Sequence, residues 1–362
     1  MQEIHSFRIA IMKYDSSKVS ARISCQTGKP KNNNTIAFCV DENYLPYALF
    51  VAEQFINLHP ELPCDICICL PDISKVPEKF INTDIRFIEL SIHGIEFFPV
   101  GSLSIAAYYR LFLPSLFEGT YEYIIYLDAD VYINKPFYSD LICFISNIKE
   151  NFCVAAAADE LQISYSKHFK GEERLCESYV KPYHKFDHIY RNSGVLVFNT
   201  KKYNENKILS KVLKYSFEHH DELNFHDQSA LNSTLLNNIA LIPFCFNWQI
   251  RKYTYNLVNE MNPYIIHFIG GSKPWNSDYI YTKPYKSFYI DFLSKNFPDM
   301  VILTLSEKRR KTIRHNNPLK EFISRERYCI RKYLENKFLK VSVSQKDKDN
   351  IKLVLTNPPF SI

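Results

Sequence analysis

The sequence lacks an apolar run of the roughly 20 residues needed to cross a membrane. Its first residues, Met1 to Asp15, mix charged and apolar side chains and do not resemble a secretory signal. These absences predict a cytoplasmic protein whose thiols stay reduced. It also lacks zinc-type cysteine pairing. Cys64, Cys67 and Cys69 fall in the segment PCDICICLPD, with no second Cys or His pair at matching spacing, so the segment reads as a buried strand between prolines. No internal repeat is present. The net charge of +5 is modest and unevenly placed. Residues 307–340 carry twelve Lys or Arg against four Glu, while the first 306 residues carry a net −4. An acidic body excludes a nucleic-acid binder; a basic distal segment points to an anionic surface.

What is present is material for a large core. Hydrophobic residues make up 46% of 362, with 25 Tyr and 27 Phe. Aromatics at this density suit stacking on sugar rings and suit an ordinary core equally well. The length predicts one large domain with extensions. Residues 1–34 show no sustained period, end in the polar run from Lys29 to Asn34 and read as a loosely attached extension. Residues 35–300 form the main domain, and residues 301–362 a basic C-terminal segment. Within the domain, strands are expected at Thr35–Val40, Asp65–Leu70, Ile85–Leu90, Tyr123–Leu127, Cys153–Ala158, Val195–Phe198 and Ile265–Phe268. Helices are expected at Tyr44–His59 and Ser102–Phe117. Strands apolar on both faces, alternating with helices, predict an α/β fold with a mostly parallel sheet. Ligands of such sheets bind beyond the carboxyl ends of the strands, where Asp41, Asp128 and Asp130 lie. Asp159 to Tyr190 is polar and aromatic with weak periodicity, suited to a lid or an acceptor-contacting segment.

The segment from Tyr126 to Ile133 reads YLDADVYI. In a strand, Asp128 and Asp130 at i and i+2 point to one face. Two like charges converge there at a cost unless a cation joins them, and hard oxygen ligands suit Mg²⁺ or Mn²⁺. Such a cation can neutralise a leaving diphosphate. The competing reading is a solvated acidic turn.

Five stretches in order resemble the family 8 retaining glycosyltransferases, which include bacterial lipopolysaccharide galactosyl- and glucosyltransferases and glycogenin. They are IAFCVDENY (36–44), AAYYRL (106–111), YLDAD (126–130), RNSGVLVFN (191–199) with HDQ (226–228), and HFIGGSKPW (267–275). The resemblance implies a GT-A type nucleotide-sugar fold with a mixed sheet. It implies transfer of galactose or glucose from a UDP-hexose, with retention, to a glycan or glycolipid acceptor in lipopolysaccharide or other cell-surface glycan synthesis. It makes Asp128, Asp130 and His267 ligands of Mn²⁺ or Mg²⁺. It places Asp41 and Asn43 on uracil and ribose, although both types also suit a helix N-cap. Arg110 and Asn192 contact the donor sugar; an ion-pairing arginine and a turn asparagine are the structural alternatives. Asp227 holds sugar hydroxyls, and the Gln228 amide lies near the face a nucleophile would use. Gly270 and Gly271 admit phosphate oxygens, Lys273 offsets the charge of the leaving diphosphate, and Pro274 and Trp275 stiffen the loop. The chain departs from the family's DQD pattern at Ser229, and His226 also differs; neither receives a role. No matched Asp or Glu fills the place of a nucleophile, so the resemblance implies front-face displacement. Self-glucosylation like that of glycogenin and an inactive UDP-sugar-binding module are the rival functions. Beyond Pro318, apolar residues at Leu319, Phe322, Ile323, Ile330, Tyr333, Leu334 and Phe338 lie three or four apart among basic ones. That pattern predicts an amphipathic helix that holds the enzyme peripherally at the cytoplasmic membrane face, or else packs on the domain.

Overall fold

The computed structural model describes residues 15, 18–95, 98, 105–148, 152–161, 189–220, 223, 225–236, 238–251, 254–277 and 279–304, and single positions or short runs between 307 and 349. Eight strands form one mixed sheet. They are β1 (Ser20–Gln26), β2 (Asn34–Cys39), β3 (Asp65–Leu70), β4 (Ile85–His93), β5 (Tyr123–Leu127), β7 (Val154–Ala158), β8 (Arg191–Asn199) and β9 (Ile239–Leu241). Their order is β1-β4-β3-β2-β5-β8-β7-β9. A second sheet joins β10 (Trp248–Gln249), β11 (Ile265–His267) and β6 (Val131–Ile133).

The central strands pair as their composition dictates. β3 is buried along its whole length, and β2 along all but its first residue. β2 runs parallel to both β3 and β5. Strands apolar on both faces need cover on both, and two apolar clusters supply it. One is built around α1 (Leu45–Leu58), which carries Pro46 in its first turn, where a missing N–H costs nothing. The other holds Tyr108, Phe112, Phe117 and Tyr203 against the opposite face. Cys64, Cys67 and Cys69 are buried free thiols, as a core strand requires.

β8 runs antiparallel to β5, so its first residues arrive at the edge where β5 ends, and Asp128 N donates to Gly194 O at 2.8 Å. β7, antiparallel to β8 in turn, ends at that same edge. The small sheet adds β11: His267 pairs with Val131, and Phe268 N donates to Asp130 O at 3.0 Å. One edge therefore collects the ends of β2, β5, β7 and β11 and the start of β8.

Three expectations are corrected. Residues 1–34 are not wholly a loose extension: Ser20–Gln26 hydrogen-bonds to β4 as an edge strand. Its alternation of half-buried Ala21 and Ile23 with exposed neighbours is the one-sided pattern of an edge. The expected helix at Ser102–Phe117 is a 3₁₀ segment, Ile105–Phe112, followed by one α turn, Leu113–Leu116. Third, β8 begins four residues before the expected Val195, because Arg191, Asn192 and Ser193 are polar yet buried.

Among the described residues no helix is long and apolar enough to cross a membrane. In the C-terminal segment the described positions 318–320, 322, 323, 326, 327 and 330 are helical. Leu319 and Phe322 are 67% and 62% exposed, and Ile323 and Ile330 are exposed too. The expected apolar positions Tyr333, Leu334 and Phe338 lie outside the described residues, as does nearly all of the 159–190 segment.

Candidate active site

Asp128 and Asp130 stand in the turn between β5 and β6, not within the strand. They still reach a common point. Asp128, Asp130 and His267 each offer one ligand atom, and the three atoms lie within 4.8 Å of one another. His267 Nε2 is 3.3 Å from Asp130 Oδ1 and 3.8 Å from Asp128 Oδ2. The far oxygens are held elsewhere. Asp128 Oδ1 accepts from Tyr126 at 2.7 Å and meets Arg110 Nη1 at 3.0 Å. Asp130 Oδ2 accepts from Lys273 Nζ, which also donates to Phe268 O. Each carboxylate thus gives one oxygen to a protein cation and turns the other toward His267. Burial alone would raise the Asp130 pKa; the Lys273 charge, with His267 close by, outweighs it and holds the carboxyl well below its ordinary range. Among the described residues, buried Asp130 Oδ1 takes no hydrogen bond and faces His267 Nε2 at ion-pair distance. Two acceptor oxygens and an imidazole nitrogen converging with one oxygen unpaired are a donor set that fits a divalent cation.

Gly194 makes this convergence possible. A Cβ there would run into the His267 ring and come within 3.0 Å of Asp128 Oδ2. Glycine allows close approach to its backbone, and what approaches Gly194 is the His267 ring.

Arg110, in the 3₁₀ segment, is 5% exposed. Besides Asp128 it meets Asp227 Oδ2 through Nε at 3.2 Å, and it donates to Ser193 O at 2.7 Å. Burial would lower its pKa, but the Asp128 and Asp227 charges lift it, so the guanidinium stays charged. Asp227 opens α4 (His226–Leu235), which follows α2 (Tyr138–Ser146) and α3 (Ile208–Glu218) in the chain. Burial pushes its carboxyl up to about 6, Arg110 partly offsets this, and the Asp128 charge adds to it. Asp227 Oδ2 has ion-pair proximity but no hydrogen bond among the described residues.

Gln228 and Asn192 share a buried network with Asp159. Asp159 Oδ2 accepts from Asn192 Nδ2 and from Gln228 Nε2, both at 3.0 Å, and its Oδ1 accepts from Leu161 N at 2.9 Å. Gln228 Oε1 accepts from Ser193 N at 3.0 Å and from Asn192 Nδ2 at 3.2 Å. Asn192 Oδ1 accepts from Gly194 N and Asn247 Nδ2, both at 2.9 Å. The Asn192 amide therefore spends both acceptor positions and both donor hydrogens inside the protein, while Gln228 uses one N–H of its amide among the described residues.

Asp41 and Asn43 lie just beyond β2. Asp41 Oδ1 accepts from the N–H of Asn43 at 3.0 Å and of Tyr44 at 3.1 Å, a local turn ahead of α1. Gly270 sits at φ +76°, a backbone form that suits glycine. Trp275 stacks on Tyr47 of α1 with ring centroids 3.8 Å apart, which ties the 267–275 loop to the domain.

Two participants escape the sequence reading. Asp159 follows the apolar strand VAAAA as Asp128 follows YIIYL, so the same strand-end rule marks it. Asn247, whose Oδ1 lies 2.9 Å from His267 Nδ1, carries no sequence signal; only the pairing of β10 with β11 brings it there.

Residues 35–279 match the family described as Glycosyl transferase family 8. General stress protein A of Bacillus subtilis is 29% identical over 299 residues, 72% of this chain and 92% of its own length. A lipopolysaccharide 1,2-glucosyltransferase of Escherichia coli K12 is 25% identical over 265 residues, 68% of this chain and 74% of its own. Among solved structures, the galactosyltransferase LgtC in complex with donor and acceptor sugar analogs superposes with a TM-score of 0.56 at 21% identity, covering 76% of this chain and 99% of LgtC. That likeness gives the fold, which is of the GT-A type. With 35–279 spanning most of the sheet and every element of the edge site, the chain belongs to glycosyl transferase family 8.

Proposed function

We propose that the protein is a metal-dependent, retaining hexosyltransferase that moves galactose or glucose from a UDP-sugar to a glycan or glycolipid acceptor of the cell surface. The observation that carries this is the convergence of Asp128, Asp130 and His267 beside Lys273 and the Gly270–Gly271 turn. A Mn²⁺ or Mg²⁺ ion held by Asp128, Asp130 and His267 supplies charge to offset that of the leaving diphosphate.

The residues around it divide the remaining work. Lys273 donates to the diphosphate oxygens, and Gly270 lets them approach the backbone. Asp41 Oδ2 takes no hydrogen bond among the described residues and is suited to accept from uracil or ribose; Asn43 lies exposed beside it. Asp227 Oδ2, near Arg110 but without a hydrogen bond, accepts from a donor-sugar hydroxyl. Arg110 binds the same sugar and keeps Asp227 ionised. Asn192, with its amide fully engaged, acts by holding Gln228 and Asp159. Gln228 turns its spare N–H toward the anomeric face. The Gln228 amide is a poor nucleophile, and Asp159 spends both carboxylate oxygens on Asn192, Gln228 and the Leu161 N–H. Retention then follows from front-face displacement. The bond from C1 to the diphosphate oxygen breaks, the acceptor hydroxyl oxygen bonds to C1 on the same face, and its proton passes to the departing diphosphate. Relatives that include a lipopolysaccharide glucosyltransferase support a lipid-linked acceptor. The exposed apolar positions Leu319, Phe322, Ile323 and Ile330 among basic residues support a peripheral site at the cytoplasmic membrane face.

The test is incubation with UDP-galactose or UDP-glucose and Mn²⁺, following UDP release and intact mass. UDP release with unchanged protein mass is expected. A ladder of hexose additions would make the protein its own acceptor, and no UDP release from either donor would leave it a binding module.

A further inference from the structure

We propose that Asn247 is a positioning residue that fixes the tautomer of His267, so that the Nε2 lone pair is the atom turned to the two aspartates, and that it ties the cation centre to the donor-sugar network. The inference rests on the metal reading above for its purpose, and on hydrogen-bond polarity alone for its substance.

Two groups of fixed polarity anchor the chain of amides. The Gly194 N–H can only donate, and it meets Asn192 Oδ1 at 2.9 Å. The Asp159 carboxylate can only accept, and it meets Asn192 Nδ2 at 3.0 Å. Turning the Asn192 amide over would place N–H against N–H and oxygen against carboxylate at once, so one orientation survives. The atom of Asn247 facing Asn192 Oδ1, 2.9 Å away, must then be its Nδ2. Its oxygen is left facing His267 Nδ1 at 2.9 Å. An oxygen there requires the ring to carry its hydrogen on Nδ1. Nε2, 3.3 Å from Asp130 Oδ1, is therefore an acceptor facing an acceptor in the neutral ring.

The surroundings make this setting rigid. Asn247 is fully buried, His267 is 4% exposed and Asn192 7%. The His267 ring is pressed on Gly194, whose N–H is the anchor of the chain. The same amide that orients the histidine thus touches the asparagine that holds Gln228 and Asp159. Second partners of this kind typically change metal affinity by about 10–100-fold when removed.

The experiment reads the histidine rings by long-range ¹H–¹⁵N correlation in the metal-free, full-length protein, with His267 assigned by His267→Gln. The hydrogen is expected on Nδ1. A neutral wild-type His267 ring carrying its hydrogen on Nε2 would overturn the proposal without any variant. Mn²⁺ binding is then measured by electron paramagnetic resonance. Asn247→Ala is expected to weaken Mn²⁺ roughly 10–100-fold and to lose the single Nδ1–H form. Asn247→Asp, which keeps an acceptor at Nδ1 but sets a carboxylate oxygen against Asn192 Oδ1, is expected to keep Mn²⁺ affinity within about threefold while weakening UDP-hexose binding in calorimetry. Unchanged Mn²⁺ affinity in Asn247→Ala, or equal losses in Asn247→Ala and Asn247→Asp, would contradict it. Failure of the wild type to bind Mn²⁺ would remove the metal reading, while the ring tautomer would still decide the role of Asn247.

Discussion

On one side of Gly194 lie Asp128, Asp130 and His267; on the other lie Asp159, Asn192 and Gln228. Both clusters are largely buried and polar, yet their hydrogen bonding differs. In the first, acceptors converge, and Asp130 Oδ1 takes no hydrogen bond among the described residues. In the second, Asn192 uses every donor and acceptor of its amide and Asp159 accepts three bonds. A satisfied network holds its shape without a ligand; converging acceptors need a cation to offset them. Under the proposed function, the second cluster serves as a preformed sugar side and the first as a metal side that supplies charge.

Breaking the metal side has the largest expected effect. Asp130→Ala or His267→Ala should lower UDP-hexose turnover by roughly 10³-fold or more, since a cation contributes several kcal/mol to a developing charge and about 1.4 kcal/mol is tenfold. Thermal unfolding should show the fold retained, and either variant at near wild-type rates would remove the distinction. Lys273→Ala, which deletes the charge held against Asp130, should lower kcat/KM by roughly 10- to 10³-fold. A wild-type value would mean that Lys273 serves only its contacts with Asp130 and Phe268.

On the sugar side, the comparison sharpens through pH. Asp227, pushed up to about 6 by burial, keeps its proton in the folded chain above the pH at which the unfolded chain loses it, about 4. The stability this gives is present below about pH 4 and is lost as pH rises through about 6. Asp227→Asn mimics the protonated form and loses nothing. In metal-free protein, the Tm of the variant relative to the wild type should therefore rise on the order of a few degrees from about pH 4.5 to about pH 7.5. A flat difference would show that Arg110 neutralises Asp227 fully. The smallest effect concerns location. The full chain should co-sediment with anionic vesicles, weakly with neutral ones, and less as salt rises, each basic residue contributing on the order of 1 kcal/mol. A chain ending near Leu305 that sediments equally well would contradict that role for the tail.

Much of this was legible in the sequence, for physical reasons that also explain the gaps. β2, β3 and β5 are continuous apolar runs, and a strand buried on both faces must be one. Asp128 and Asp130 were legible because charge directly after such a strand is costly without a purpose. The start of β8 was not: Arg191, Asn192 and Ser193 look like a loop and are buried only because tertiary partners satisfy them. β1 leaves little sequence signal because an edge strand buries one face of a short run. The 3₁₀ geometry of 105–112 leaves no trace in a pattern that fits an α-helix as well. Asn247 became visible only through the pairing of β10 with β11.

The central claim, that Asp128, Asp130 and His267 hold a cation through which the UDP-sugar is bound, is tested most directly by titrating UDP into the wild type and Asp130→Ala by calorimetry, each with Mn²⁺ and with EDTA. Tight binding is expected only for the wild type with Mn²⁺. Equal UDP affinity for the wild type in Mn²⁺ and in EDTA would contradict it.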